Sequence, residues 1–268
     1  MRTEWGESII KINKSASRAI DIIDLIAKQE SSMTITEISH KLSIPKSSTF
    51  ELLYTLLEKG YLQIEDENLK TFKLGIKLFQ SGTAYLKKMD LNREARPLLE
   101  DMMKKSGETV FLAVEVNGMA VYLDKVEGSS STRTTSVLGS SNPMYCTGLG
   151  KALLASYSDN RIKEIIGGSE FPSITEYTIK SYDDLIVDLK GIRNRGYAID
   201  DRENEEDVFC VAAPIYDRSG KPIAAISIAS LASKINSDRL EQFGSLVADT
   251  ALDISRRLGY AGDKLYFY

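Results

Sequence analysis

One histidine, His40, and two cysteines, Cys146 and Cys210, are the whole stock of imidazole and thiol in a chain of 268 residues. So small a supply argues against zinc, haem and imidazole-centred acid–base chemistry, and we expect neither metal nor cofactor. Two distant cysteines make no disulfide scaffold in a chain of this size, which fits a reducing compartment. Apolar runs of the roughly 20 residues that span a bilayer are lacking, and Met1-Arg2-Thr3-Glu4-Trp5 lacks the basic-then-apolar order of a signal peptide. The expectation is a cytoplasmic protein with no membrane partner. A dominant charge sign is missing too: 34 Lys+Arg face 38 Asp+Glu, a net charge of -4. That excludes a chain coated in positive charge, so any nucleic-acid contact must be local. What remains, 43% hydrophobic and 27% charged residues, is ordinary globular composition for one or two domains with real cores.

The N-terminal third reads as a winged helix-turn-helix. From Ser17, Ala19, Ile22, Ile23 and Ile26 recur at three- and four-residue steps with Asp21, Asp24 and Lys28 between them, which predicts an amphipathic first helix. A short second helix follows, capped at Thr36 or, in capping-box spacing with Glu37, at Thr34. Ser43-Ile44-Pro45 makes a tight turn, with Pro45 suited to the first position of a third helix that Gly60 ends. At 100° per residue, Thr49, Leu52, Leu53, Leu56 and Leu57 gather on one side as core; Ser47, Ser48, Glu51, Tyr54 and Glu58 gather on the other. Small polar residues at the helix start let backbone approach phosphates while side chains reach base edges in a major groove, and Lys46 there can meet a phosphate. YLQI and TFKL, joined by Glu65-Asp66-Glu67-Asn68, read as a hairpin wing with Lys70 and Lys73 on its return arm. The DNA-facing candidates are therefore Thr36, Lys46, Ser47, Ser48, Glu51, Tyr54 and Lys70. Residues 1–75 are net -1, so phosphate contacts per subunit are few, and affinity must come from doubling sites in a dimer.

Residues 76–90, with Ile76, Phe79 and Leu86 among lysines and polar residues, read as a linker helix. Residues 91–268 then read as α+β. Pro97 stands near the start of a further helix closed by Gly107; TVFLAVEV and MAVYLDKV flank Asn117-Gly118, the signal for a type I′ hairpin. GSSSTRTTSVLGSSN is Ser/Thr-rich, GLGKALLASYS and SYDDLIVDLKGIRNRGY are helical, VFCVAAPIYD and KPIAAISIAS are strands, and a long helix closes the chain.

Three readings compete for this part. An enzyme would use Cys146 or Cys210 as nucleophile or a Lys151–Asp200 acid–base pair, but the single histidine lies in the helix-turn-helix, so no imidazole base accompanies a thiol. A pure dimerisation domain would need neither two thiols nor a Ser/Thr-rich loop. The third reading is a small-molecule sensor.

LSIPKSSTFELLYTLLEKGYLQ, DLNREARPLLEDMMKKSGETVFLAV, NPMYCTGLGKALLAS, RGYAIDDREN and VFCVAAPIYDRSGKPIAAISIAS together resemble the IclR family of bacterial transcription regulators, over nearly the whole chain. Within it, NPMYCTGLGKALLA and RRLGY are most similar to regulators of 2-keto-3-deoxygluconate and pectin-sugar catabolism. The resemblance implies a GAF-like effector-binding domain. It also implies a repressor acting as a homodimer or dimer of dimers on palindromic double-stranded operator DNA, and a small organic acid as effector. Carried over by alignment, the ligand-facing positions are Gly148, Leu149, Asp200, Cys210, Ser227 and Ala229, with Arg133 from the Ser/Thr-rich loop. Gly148 and Leu149 open a helix whose N–H groups can hold a carboxylate; Asp200 accepts from hydroxyls, Ser227 bridges either, and Arg133 can pair with a carboxylate. Ala229 stands where the glyoxylate- and pyruvate-type pocket has a second serine, and Ser131, Arg133 and Thr134 replace apolar residues, which favours a larger hydroxylated acid. Glu51 stands where family members commonly have arginine, which implies a changed base preference.

Overall fold

A computed structural model describes residues 12–87, 90–128, 136–168 and 170–266. The chain divides into two compact units, Met1–Lys88 and Met89–Tyr268. The expected linker helix thus groups with the first unit. Its start is tied there by backbone bonds from Gly75 to Tyr61 (2.8 Å) and from Lys77 to Gly60 (3.3 Å).

In the first unit, α1 (Lys14–Ala27) starts a turn earlier than the apolar spacing suggests because Asn13 caps it. A two-residue strand β1 (Met33–Thr34) leads into α2 (Ile35–Lys41), and α3 (Lys46–Glu58), β2 (Leu62–Asp66), β3 (Thr71–Leu74) and α4 (Ile76–Lys87) follow. Of the two caps open for α2, Thr34 is the one used: its hydroxyl accepts from Glu37 N, and the Glu37 carboxylate accepts from Thr34 N at 2.7 Å. Thr36 sits within the first turn, as the second residue of α2, and is exposed. Pro45 is also one place earlier than expected, preceding α3 as its cap residue with φ -54°. Before it, Ser43 adopts φ 51°, which turns the chain sharply between α2 and α3. Ile22, Ile26, Ile38, Leu53, Leu56, Leu62 and Phe72 form the buried centre. The sheet runs β1-β3-β2; β1 is too short to have been legible as a strand.

The second unit begins with α5 (Asp90–Ser106), which encloses Pro97 instead of starting at it. Its first two turns, Asp90 to Arg96, lie ahead of the expected start, and the proline leaves only the Arg93 carbonyl without its usual intrahelical donor. The chain continues through β4 (Thr109–Val116), β5 (Met119–Val126), β6 (Ser141–Pro143), a tight 3-10 turn (Met144–Cys146), α6 (Gly148–Ala155), α7 (Asp159–Ile166), α8 (Tyr182–Arg195), β7 (Ala198–Asp201), β8 (Val208–Tyr216), β9 (Pro222–Leu231) and α9 (Ser237–Arg257). Asn117 (φ 52°) and Gly118 (φ 79°) both take the left-handed values a type I′ turn requires. The strands form one antiparallel sheet in the order β6-β5-β4-β9-β8-β7.

Helices cover both faces, so β4, β8 and β9 read as nearly unbroken apolar runs. On one face α5 and α9 bury Leu99, Met102, Phe243, Val247 and Ile254 against Leu112, Val211 and Ile226. On the other, α6, α7 and α8 bury Leu153, Ile162 and Leu189 against Phe111 and Ala212. Among the described residues no helix is long and apolar enough to cross a membrane.

Candidate functional site

The register of the large sheet sets the ground plan of a cavity. Asp200 on β7 pairs with Cys210 on β8, Cys210 with Ala229 on β9, and Ala229 with Thr109 on β4, while Ser227 lies between Ala212 and Phe111 in the neighbouring row. Side chains two apart on a strand share a face. The N-terminus of α6 stands over these rows. A Cβ added to Gly148 would lie 3.4 Å from the Cβ atoms of both Cys210 and Ala212, and 3.7 Å from that of Asp200. Glycine here keeps the cavity open. Gly150 serves packing instead, since a Cβ there would fall 2.3 Å from the backbone of Met144.

The cavity so formed holds about 370 Å³ of empty space, counting its open mouth. Gly148, Leu149, Asp200, Cys210, Ser227 and Ala229 all line it. Arg133, with Ser131 and Thr134, lies outside the described residues. The remaining wall was not anticipated: Phe111, Tyr122, Ser136, Thr147, Asn204, Glu205 and Val208. Ser136 belongs to the Ser/Thr-rich run, and Thr147 carried a signal as a threonine directly before a helix start; its hydroxyl accepts from Gly150 N at 3.2 Å. Cap and first turn leave the Gly148 and Leu149 N–H groups without intrahelical acceptors, facing the cavity end of α6.

The polar groups are few and constrained. Ser227 is only 1% exposed, and its hydroxyl has no hydrogen-bond partner among the described residues. Tyr122 accepts from Asn142 Nδ2 at 3.1 Å. Asp200 is buried and accepts from Glu203 N at 2.8 Å. Burial, with the nearby Glu203 charge, raises its pKa to about 7. At neutral pH this carboxyl is divided between an acceptor-only and a donating form.

Lys151 is not Asp200's partner. Its side chain is 1% exposed, ion-paired with Glu203 of the loop after β7 and, at 2.9 Å, with Asp188 of α8. Burial works to lower its pKa, but the Glu203 and Asp188 carboxylates outweigh burial and hold it above the usual lysine value. An ammonium so committed is no acid–base catalyst. Both thiols fail as nucleophiles as well: burial pushes Cys146 up to about 12, and burial with the Asp200 charge holds Cys210 well above the ordinary thiol value, so neither supplies thiolate at neutral pH.

In the first unit, Lys46, Ser47 and Glu51 are exposed on α3, Ser48 is half-buried, and Lys70 is exposed in the wing turn at φ 50°. Tyr54 departs from the expected outward position. It is half-buried against the core, with its ring edge-on to Phe72 at 6.2 Å between centroids. Phe50 is the outward aromatic instead, 47% exposed, at the edge of the polar arc where helical spacing does not decide.

Residues 15–66 match the IclR helix-turn-helix domain, and residues 83–256 match the bacterial transcriptional regulator IclR C-terminal domain. The HTH-type transcriptional repressor AllR of Escherichia coli is 34% identical over 92% of this chain and 90% of its own. The HTH-type transcriptional regulator KdgR of the same species is 33% identical over 87% of this chain and 88% of its own. The crystal structure of Thermotoga maritima IclR superposes with a TM-score of 0.75 at 34% identity, covering 92% of this chain and 99% of that one.

Proposed function

Because the chain belongs to the IclR family of bacterial transcriptional regulators, with a DNA-binding helix-turn-helix and no enzymatic role, we propose that it is a repressor whose C-terminal domain binds a small carboxylic acid and releases or retains operator DNA accordingly. The observation that carries this reading is the cavity at the N-terminus of α6. There, first-turn N–H groups, an unpartnered Ser227 hydroxyl and the divided Asp200 carboxyl line one open-mouthed cavity. N–H groups at a helix start suit a carboxylate, and Ser227 and Asp200 suit the hydroxyl or keto oxygens of its chain. Ala229 supplies no donor, which favours a keto or sugar acid such as 2-keto-3-deoxygluconate over glyoxylate, in line with the KdgR-like stretch around α6. Arg133 is the further partner proposed for the carboxylate.

Lys46, Ser47, Ser48 and Glu51 on α3, with Thr36 on α2 and Lys70 in the wing, are the groups proposed to meet operator DNA. Tyr54 acts from the side, as support for α3. The near-neutral charge of this unit calls for two copies on a palindromic site, as a homodimer or dimer of dimers, with contacts that weaken steeply as salt rises. The effector acts by binding one conformational state better than another, the sole way a ligand shifts such an equilibrium.

The test is thermal melting of the full chain against a panel of keto and sugar acids, followed by DNA retention with and without any acid that raises the melting point. An acid that raises it and changes retention is expected. No shift with any acid refutes the sensor reading, and no duplex binding even at low salt refutes the regulator reading.

A further inference from the structure

We propose that Phe50 is a base-reading residue, its ring packing on the 5-methyl group of a thymine in the major groove. The proposal rests on the reading of α3 as the helix that enters that groove.

An apolar ring exposed to 47% is an unfavourable thing to leave in water, and most of the α3 surface around it is polar. Phe50 follows Lys46 by four residues and Ser47 by three, and precedes Tyr54 by four. It therefore stands on one ridge of the helix with a phosphate-seeking ammonium and a small hydroxyl. The ring is also held in place. It stacks on Tyr54 with centroids 4.2 Å apart and planes 30° apart, and Tyr54 meets the fully buried Phe72 of β3 edge-on at 6.2 Å. This chain of three rings runs from the helix surface into the core of the unit. It explains why Tyr54 is drawn inward and gives Phe50 a firm backing, so little side-chain freedom is lost on contact.

Of the groups that a major groove offers, one alone is apolar: the thymine methyl, the partner an aromatic side chain distinguishes. Lys46 at the start of the same helix favours an anionic partner over an apolar protein surface, which is why duplex DNA is the occupant argued for. Glu51, next in sequence, disfavours phosphate at its own position and so turns this part of the helix toward base edges.

The experiment is a binding-site selection with the full chain, followed by affinity measurements in which each specified thymine is replaced by uracil, which removes the methyl and leaves the hydrogen bonds. At one thymine per half-site, wild type is expected to bind the uracil duplex about fourfold more weakly, the value of one buried methyl group. Phe50→Ala is expected to bind both duplexes alike, and Phe50→Leu to keep most of the discrimination. If wild type enriches no sequence, the reading of α3 falls and this proposal with it. If it enriches a sequence but treats thymine and uracil alike everywhere, or if Phe50→Ala still prefers thymine, this proposal alone falls. A change in oligomeric size with Phe50→Ala would assign the ring to a second copy of the chain and overturn the proposal too. The wild-type comparison needs no variant to fold.

Discussion

Glu203 donates its backbone N–H to Asp200 Oδ1 across 2.8 Å while its side chain is ion-paired with Lys151, so one loop residue joins the wall of the cavity to the only ammonium among these buried groups. Lys151 belongs to α6, whose first turn forms the end of the same cavity, and its second carboxylate, Asp188, comes from α8. Three elements thus meet on one charge. Replacing it should be costly, because carboxylates left buried without a counter-charge are worse than no ion pair at all. Lys151→Met is expected to lower unfolding stability by about 3–5 kcal/mol in urea titrations. Glu203→Gln in the Lys151→Met background should recover part of that loss. A double variant that loses the sum of both single effects would show that the groups do not act as a pair.

Asp200 makes stability depend on pH in a direction opposite to that of a salt-bridged carboxylate. Its folded pKa, about 7, is above the ordinary value of 3.8, so between these limits the folded chain binds a proton that the unfolded chain has released. Stability is therefore full below about pH 4, falls as pH rises through 7, and levels off above it. Asp200→Asn keeps an acceptor for Glu203 N and removes the titration. Relative to wild type, the variant should gain up to about 4 kcal/mol on going from pH 4 to pH 8, measured as the difference between two urea series. Parallel curves would mean that Asp200 is ionised throughout.

What the sequence told in advance, and what it did not, divides along physical lines. Asp200, Cys210, Ser227 and Ala229 were placed together by resemblance, and the cross-strand register gives the reason: they occupy neighbouring rows of one sheet face. Tyr122 was not legible because β5 carries an extra residue at Leu123. Leu112 pairs with Asp124 but Ala113 pairs with Tyr122, so Tyr122 turns to the cavity while Asp124 turns to α5 and pairs with Arg96 at 2.7 Å. Strict alternation would have set both on one side. Glu203 was hidden because a loop has no periodicity to read. Phe50 is not legible as a surface reader because it stands at the edge of the polar arc, where helical spacing does not decide. The helices α1 to α3, whose apolar spacing carries the information, lie within a turn of where that spacing puts them, whereas α5 begins two turns before Pro97 because its polar first turns, Asp90 to Arg96, carry little apolar pattern.

The two glycines of Gly148-Leu149-Gly150 should behave differently. An added methyl at Gly150 meets the Met144 backbone at 2.3 Å, which no rotamer change relieves. Gly150→Ala is expected to lose roughly 1–3 kcal/mol of stability by overpacking. At Gly148 the nearest atoms are the Cβ atoms of Ala212 and Cys210 at 3.4 Å, so the methyl fits but projects into the cavity. Gly148→Ala should melt within a few degrees of wild type and lose the upward shift that an effector acid gives wild type. Equal losses of stability would refute the division of roles.

A similar contrast separates Thr34 from Thr36. Thr34 completes a reciprocal cap with Glu37, which also holds the Glu37 carboxyl below its ordinary range through bonds from the Thr34 backbone and side chain. Thr34→Ala is expected to lose about 1 kcal/mol of stability. Thr36, two residues further on in the same first turn, is exposed; Thr36→Ala should stay within about 0.5 kcal/mol of wild type yet weaken operator binding. If Thr36→Ala binds DNA as wild type does, Thr36 is a plain surface residue.

Glu51 carries the last prediction. It is exposed at the centre of the outward face of α3, opposite the buried Thr49, Leu53 and Leu56. A carboxylate there repels phosphate and can accept from the N4 amino group of cytosine, whereas an arginine at the same place would seek the O6 and N7 of guanine. Binding-site selection with Glu51→Arg should therefore replace a cytosine preference with guanine at one position in each half-site, with the rest of the selected sequence unchanged. The overall affinity for non-specific duplex should rise at low salt and fall more steeply with salt, because one repulsive charge has become an attractive one. An unchanged selected sequence would remove Glu51 from the base-reading surface.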